Sequence, residues 1–151
     1  MLRGLLTGFF LFFTLHIYAA ENTDSHKSSF SVPVTLDRLE AEIEAKGMHV
    51  FARIDHAAGA SKVDMTLRPT TLLIFGNPKV GTLLMQESQT AGLDLPLKAL
   101  AWEDAEGQVW LTLNTAEYLA TRHDITGQEE TIRKMTTALD ALARTATTGG
   151  Q

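Results

Sequence analysis

Apolar and polar positions alternate in short blocks along the chain, and the most informative block spans residues 70–82. Its four apolar residues, 72–75, are followed by Gly76, Asn77 and Pro78. A short apolar run that ends in glycine and proline predicts a buried strand. Asn77 precedes a proline and suits an N-cap, while Pro78 suits the first position of a helix. The block therefore predicts a strand, a tight turn and a helix. We call the turn at residues 76–78 the central turn.

The other blocks predict four further strands. Residues 48–54 alternate, with Met48, Val50, Ala52 and Ile54 on one face, which is typical of a half-buried strand. Residues 28–34 alternate weakly and contain Pro33, so we predict an edge strand there. Residues 97–102 and 108–113 flank a short polar loop, and they predict a hairpin in which the two tryptophans pair.

Apolar residues at helical spacing predict four helices. The first starts at an N-cap, Thr35, and ends at Gly47; the second follows the central turn and ends at Gly92. Two more begin at capping boxes, 114–117 and 126–129. The last carries one apolar stripe, formed by Ile132, Met135, Leu139 and Leu142.

One hairpin and few β-α repeats favour an α+β fold over a doubly wound sheet. We predict a two-layer sandwich, in which helices cover one face of a mixed, mostly antiparallel sheet.

The first 20 residues have the plan of a secretory signal peptide. Arg3 precedes an apolar core at residues 5–15, and Ala19 and Ala20 end the segment. We therefore expect a periplasmic or secreted protein, cleaved near Ala20. An uncleaved anchor is the alternative, because Tyr18 fits a small-residue cleavage motif poorly.

The remainder is divided into a flexible tether at 21–29, a single α+β domain at 30–145 and a loose tail at 146–151. The chain has no cysteine, which excludes disulfides and thiol chemistry. Its formal charge of −5 becomes −6 once Arg3 is removed with the signal segment. That charge argues against nucleic acid, and against a membrane surface for the mature form, as partners.

Several blocks occur in the order of one known family. They are Asp55-His56-Ala57, Leu67-Arg68-Pro69-Thr70, Ile74-Phe75-Gly76-Asn77-Pro78-Lys79, Gly81-Thr82, Leu93-Asp94-Leu95-Pro96-Leu97 and Trp102-Glu103-Asp104. The chain resembles the bacterial and archaeal family called domain of unknown function 302 over about residues 30–143. The resemblance implies a compact, often dimeric α+β domain with no established reaction. Its recurrent polar positions fall here on Asp55, His56, Asn77, Asp94, Arg122 and His123.

The predicted helix start offers free amides and the positive end of the helix dipole, which suit a small ligand, an anionic one included. The two glycines have the spacing of a P-loop, but the lysine and hydroxyl pair of that motif is missing, so we do not predict nucleotide binding. We predict a ligand site around the central turn, near His56. Its residues are Gly76, Asn77, Lys79, Gly81, Thr82 and Asp94.

Whether the protein is an enzyme stays open. One alternative is an enzyme that uses His56 as general acid or base, with Asp55 and His123 as further catalytic candidates. Another is a purely structural or dimerisation domain, because caps and connectors explain the polar blocks adequately. We predict no metal site and no cofactor, since no residues show a recognised ligand spacing.

Overall fold

The computed structural model describes residues 22–149, so the predicted signal segment and its cleavage point lie outside the described residues. The strands are β1 (Thr23–Ser28), β2 (His49–Asp55), β3 (Thr70–Gly76), β4 (Leu97–Glu103) and β5 (Val109–Asn114). The helices are α1 (Val32–Ala45), α2 (His56–Ser61), α3 (Pro78–Glu87), α4 (Ala116–Arg122) and α5 (Glu129–Thr147), and a 3-10 helix spans Gln89–Leu93.

The five strands form one sheet in the order β1-β5-β4-β3-β2, and every neighbouring pair in it is antiparallel. The α+β fold class is therefore confirmed. The hairpin of β4 and β5 places Trp102 opposite Trp110, as predicted, with the ring centroids 6.3 Å apart.

The two faces of the sheet differ in burial. Helices α1 and α5 pack against each other and against one face, which forms the core. Buried apolar strand residues on that face are Leu73, Phe75, Ala99, Ala101, Val109, Leu111 and Leu113. The side chains of the opposite face, which we call the open face, are only partly buried. Its large apolar residues are Ile54, Leu72, Ile74, Leu100, Trp102 and Trp110.

Strand β2 contains a bulge between Val50 and Ala52, which reverses the side to which later residues point. Val50 pairs with a buried residue on the core face, whereas Ile54 pairs with Leu72 on the open face. The prediction that Met48, Val50, Ala52 and Ile54 share one face is therefore wrong.

The N-terminal boundary predicted from the sequence is also wrong. Residues 23–28 form β1 and pair with β5, although the whole segment 21–29 was predicted to be a tether. The strand predicted at 28–34 is replaced by the start of α1, because Pro33 fits the first turn of a helix as well as it fits an edge strand. The helix begins after Ser31, and Thr35 lies inside it.

The predicted C-terminal tail belongs in part to the fold. Helix α5 continues to Thr147, and Ala146 is fully buried. The backbone N–H of Ser29 donates to the carbonyl oxygen of Thr147 at 2.9 Å, which ties the helix end to the segment after β1.

The helix ends were predicted with mixed success. Gly47 follows α1 with φ +69°, as expected for a glycine that ends a helix. Helix α3 ends at Glu87, earlier than predicted, and Gly92 lies in the 3-10 helix. No helix within residues 22–149 combines the length and the apolar character that a bilayer crossing requires.

Candidate functional site

A cleft of about 720 Å³ opens beside the central turn, and we call it the α3–α5 cleft. Its walls come from α3, from the C-terminal part of β3, from the segment 92–97 and from α5. The start of β2 and the residues just before it form the remaining side. The volume lies within the range of ordinary small-molecule sites.

The walls of the cleft are mostly apolar. Phe75 and Leu142 are fully buried at its base, while Phe51 and Leu83 are half-exposed at its edge. Three methionines also line it: Met48, Met85 and Met135. Methionine side chains are flexible and polarisable, so such a wall can adapt to apolar ligands of different shape.

The cleft exists because α3 does not pack closely on α5. Helix α3 contacts chiefly the 3-10 helix that follows it. It is joined at one end to the loop just before α5, where the Glu87 carboxylate accepts hydrogen bonds from the N–H groups of Thr126 and Gly127 at 2.6 and 2.8 Å. The two helices are therefore linked at that junction and separated along the cleft.

The structure brings together most of the predicted ligand residues. Gly76, Asn77, Gly81 and Thr82 all line the cleft. Lys79 and Asp94 do not line it.

The amides at the start of α3 are less available than predicted. Pro78 has no N–H, and the Asn77 side chain accepts the N–H of Lys79 at 3.0 Å. The N–H of Gly81 already donates to the Asn77 carbonyl. Asn77 therefore occupies the N–H groups of Lys79 and Gly81, and fewer amides are free at the start of α3 than the sequence predicts.

Positive charge at the cleft comes from lysines instead. Lys46, just after α1, and Lys134, on α5, both line the cleft and are exposed. Lys134 lies 3.3 Å from Glu130, an exposed pair that stabilises the fold little and leaves the ammonium accessible.

His56 lies far from this cleft. Antiparallel pairing places Asp55 opposite Thr71 and His49 opposite Gly76. His56 therefore lies at the end of β3 remote from Asn77, about 17 Å away for five residue steps along a strand. The prediction that His56 lies beside the central turn is wrong, since strand direction separates them.

The candidate pair Asp55 and His56 forms no catalytic arrangement in the described residues. The Asp55 carboxylate caps α2 by accepting the N–H of Ala58 at 2.9 Å. His56 is exposed, and residues 22–149 supply no hydrogen-bond partner for its ring.

Three other predicted residues meet in a separate network. The Nε2 atom of His123 lies 2.6 Å from Asp94 Oδ2, and its Nδ1 atom lies 3.1 Å from the Thr90 hydroxyl. Arg122 Nε lies 3.4 Å from the same Asp94 oxygen. The imidazole is buried and the carboxylate nearly so, which indicates that this network joins α4 to the segment after the 3-10 helix.

Sequence reasoning found the α3 wall of the cleft and missed the α5 wall. Met135, Leu139 and Leu142 were predicted only as a core stripe, and all three also line the cleft. The available signal was the spread of the three methionines among separate segments of the chain.

Comparison with known proteins gives the family and the fold. A family described as "Domain of unknown function DUF302" matches residues 24–142. The crystal structure of an uncharacterized conserved DUF302 protein from Bacillus stearothermophilus covers 84% of this chain, and this chain covers 99% of it. The TM-score is 0.76 at 17% sequence identity, so this likeness concerns the fold alone.

Two curated relatives carry the name "Fluoride-specific ion channel FluC 1", from Brucella suis biovar 1 (strain 1330) and Brucella abortus biovar 1 (strain 9-941). Each is 52% identical to this chain over 99 residues. The match covers 66% of this chain but only 39% and 37% of those relatives, so the chain spans less than two fifths of their length. By the match over residues 24–142, the chain belongs to the family of domain of unknown function DUF302.

Proposed function

We propose that the protein binds a small amphipathic ligand in the α3–α5 cleft. The observation that carries the proposal is the cleft itself, about 720 Å³ with mostly apolar walls. An apolar ligand body would shield surface that Phe51 and Leu83 now expose to water.

The polar end of the ligand is proposed to be anionic. In the part of the chain that the structure describes, the charged side chains that line the cleft are Lys46 and Lys134, and both are positive. An ammonium group at the edge of an apolar site attracts a carboxylate and orients it while the apolar part is buried. A fatty acid or an aromatic carboxylate has this chemistry.

Calorimetric titration with dodecanoate tests the apolar part. Leu83→Asp places a charge on the cleft wall and is expected to weaken binding at least about tenfold, or about 1.4 kcal/mol. Leu93→Asp is the matched control, because Leu93 is 74% exposed and lies outside the cleft. Equal weakening by both variants, or no binding by the wild type, would contradict the site.

A second pair of variants tests the charge. Lys134→Glu is expected to weaken dodecanoate binding and to leave dodecanol binding nearly unchanged. Arg133→Glu is the control, since Arg133 also pairs with Glu130 but does not line the cleft. Loss of both ligands in Lys134→Glu would point to a change of fold, which circular dichroism would detect.

The relatives named as fluoride-specific channels share only part of their length with this chain. Most of their length lies outside the match to this chain. We propose that the shared region is a ligand-binding module, and we assign no fluoride transport to it.

We also propose that the protein is exported. The support is the charged start, apolar core and small-residue end of residues 1–20. Mass spectrometry of the N-terminus, on protein recovered from the periplasmic fraction of an expressing bacterium, tests it. A chain that begins at Met1 and stays with the cytoplasm would contradict both cleavage and export.

Dimerisation is a second candidate function, and the open face favours it. Five strands with spacings of about 4.8 Å and lengths of about 20 Å give a face of roughly 450 Å² per copy. Two stacked faces would approach the roughly 1,000 Å² that a biological interface needs. Concentration-dependent association in sedimentation experiments would support this candidate.

A further inference from the structure

A polar stripe lies on the core side of the edge strand β1. Asp24 and His26 are two residues apart and pair with Leu113 and Leu111 of β5, whose side chains are buried under the helices. The side chains of Asp24 and His26 therefore point toward the helix layer, where the neighbouring strand presents apolar residues. This placement brings them to Asp140 of α5.

The three side chains converge at the distances of a ligand set. One ligand atom from each of Asp24, His26 and Asp140 lies within 4.8 Å of the other two. The His26 Nε2 atom lies 2.8 Å from Asp24 Oδ2. The ligand atoms of one metal ion lie roughly 3–4 Å apart when each bond is about 2.0–2.2 Å long, so small side-chain adjustments suffice.

A separate cavity of about 50 Å³ adjoins all three residues. That volume accommodates an ion with water, because one water needs roughly 10–15 Å³ of such space. Asn114 and Glu117 also line the cavity, and within residues 22–149 no lysine or arginine does. Glu117 accepts a hydrogen bond from the Thr136 hydroxyl, and this places a third carboxylate beside the cavity.

Charge gives the cavity a reason to hold a cation. Three carboxylates and one imidazole line the cavity, so its wall carries a net negative charge. Arg144 of α5 compensates part of this charge, because its Nη2 atom lies 2.9 Å from Asp140 Oδ2. Inward charges also protect edge strands from pairing with other chains, but that role requires no cavity and no convergence of ligand atoms.

We propose that Asp24, His26 and Asp140 form a binding site for a divalent transition-metal ion of the zinc class. Imidazole nitrogen together with carboxylate oxygen suits Zn²⁺, Mn²⁺ or Co²⁺ better than Ca²⁺ or Mg²⁺, which prefer oxygen ligands alone. Asn114, Glu117 and water are available to complete the coordination. This site shares Leu139 with the α3–α5 cleft lining but none of its lysines.

The test is a calorimetric titration of the untagged full chain with ZnCl₂, together with the visible spectrum of added Co²⁺. His26→Ala and Asp140→Asn are each expected to reduce Zn²⁺ affinity by at least about tenfold and to remove the Co²⁺ bands. His49→Ala is the matched control, because His49 is an exposed strand histidine away from β1, and it is expected to keep both signals.

Circular dichroism of each variant establishes that it folds. If His26→Ala does not fold, the milder Asp140→Asn change still tests the site. The proposal is overturned by the absence of Zn²⁺ heat in the wild type. Equal losses in His49→Ala and His26→Ala, or tighter binding of Ca²⁺ than of Zn²⁺, would also overturn it. Dodecanoate binding is measured separately, so failure of this site leaves the proposed cleft function untouched.

Discussion

Single carboxylates hold several parts of this protein together, and Asp104 is the clearest case. Its Oδ1 atom accepts the backbone N–H groups of Glu106 and Gln108, and its Oδ2 atom accepts the indole N–H of Trp110 at 2.7 Å. The bond from Trp110 lowers the pKa of Asp104 most; partial burial opposes it, and the two backbone bonds add to the lowering. One side chain therefore fixes the β4–β5 turn and orients a tryptophan.

This arrangement predicts a specific acid sensitivity. The folded pKa of Asp104 lies below its ordinary 3.8, so its contribution to stability is full above that value and is lost as the pH falls through the folded pKa. Asp104→Asn is expected to lower the urea midpoint at neutral pH, and its urea midpoint should fall less than that of the wild type between about pH 5 and about pH 2. Glu106→Gln, a loop control whose side chain has no hydrogen bond within the described chain, should retain the wild-type pH dependence.

Asp94 acts in a similar way between elements rather than within a turn. It binds the buried His123 ring and lies close to Arg122, so two predicted catalytic or ligand residues have structural partners instead. The resemblance to the family pointed to these positions, but sequence separation hides which of them meet. Asp94 and His123 are 29 residues apart, and no pattern of adjacent residues indicates that two such positions are in contact.

Turns and helix ends that depend on adjacent residues were predictable from the sequence. Strand pairing between distant segments was not. The turn at Asn77 and Pro78, the glycine end of α1 and the β4–β5 hairpin follow from the preferences of a few adjacent residues. The bulge in β2 and the pairing of β1 depend on partners that lie far away in sequence. The cleft was half predictable, because one wall is a local turn and the other is the distant α5.

Helix α5 shows the importance of a distant partner. The carbonyl oxygens of residues 145 and 146 at its end, and of residue 148 just after it, accept hydrogen bonds from the Arg38 guanidinium of α1, at 2.7, 3.3 and 2.8 Å. The positive charge also suits the negative end of the helix dipole. The same guanidinium lies over the ring of Phe30, 4.5 Å from its centroid.

Arg38→Ala is therefore expected to destabilise the protein by about 1–3 kcal/mol, because it leaves helix-end carbonyls without their charged donor. Arg38→Lys should recover only part of the loss, since an ammonium cannot reproduce the planar fork. Urea unfolding measures the free energy of unfolding of both variants. We expect its dependence on urea concentration to have the same slope as in the wild type. Arg133→Ala, an exposed change on the same α5 helix, should shift stability by less than about 0.5 kcal/mol; an equal effect would contradict the capping role.

At the scale of the whole molecule, the helices leave the two faces of the sheet unequal. Helices α1 and α5 cover the core face, and the bulge in β2 moves Ile54 to the open face. The stacked tryptophans add two large rings to that face. Lys98 also lies on the open face. Its ammonium donates to the carbonyl oxygens of Asp94 and Pro96, so its charge lies at the end of the sheet. An open face of this kind is suited to a second sheet, stacked at about 10 Å.

The proposed dimer can be tested at one exposed position. Ile54 is 41% exposed on the open face, so Ile54→Lys leaves the monomer core intact and places a charge where two faces would meet. We expect it to weaken self-association at least about tenfold in sedimentation velocity, because an unpaired charge would be buried. Val34→Lys is the matched control: Val34 is 42% exposed on α1, away from the open face. A wild type that stays monomeric at high concentration, or equal weakening by both variants, would rule out this face as the interface.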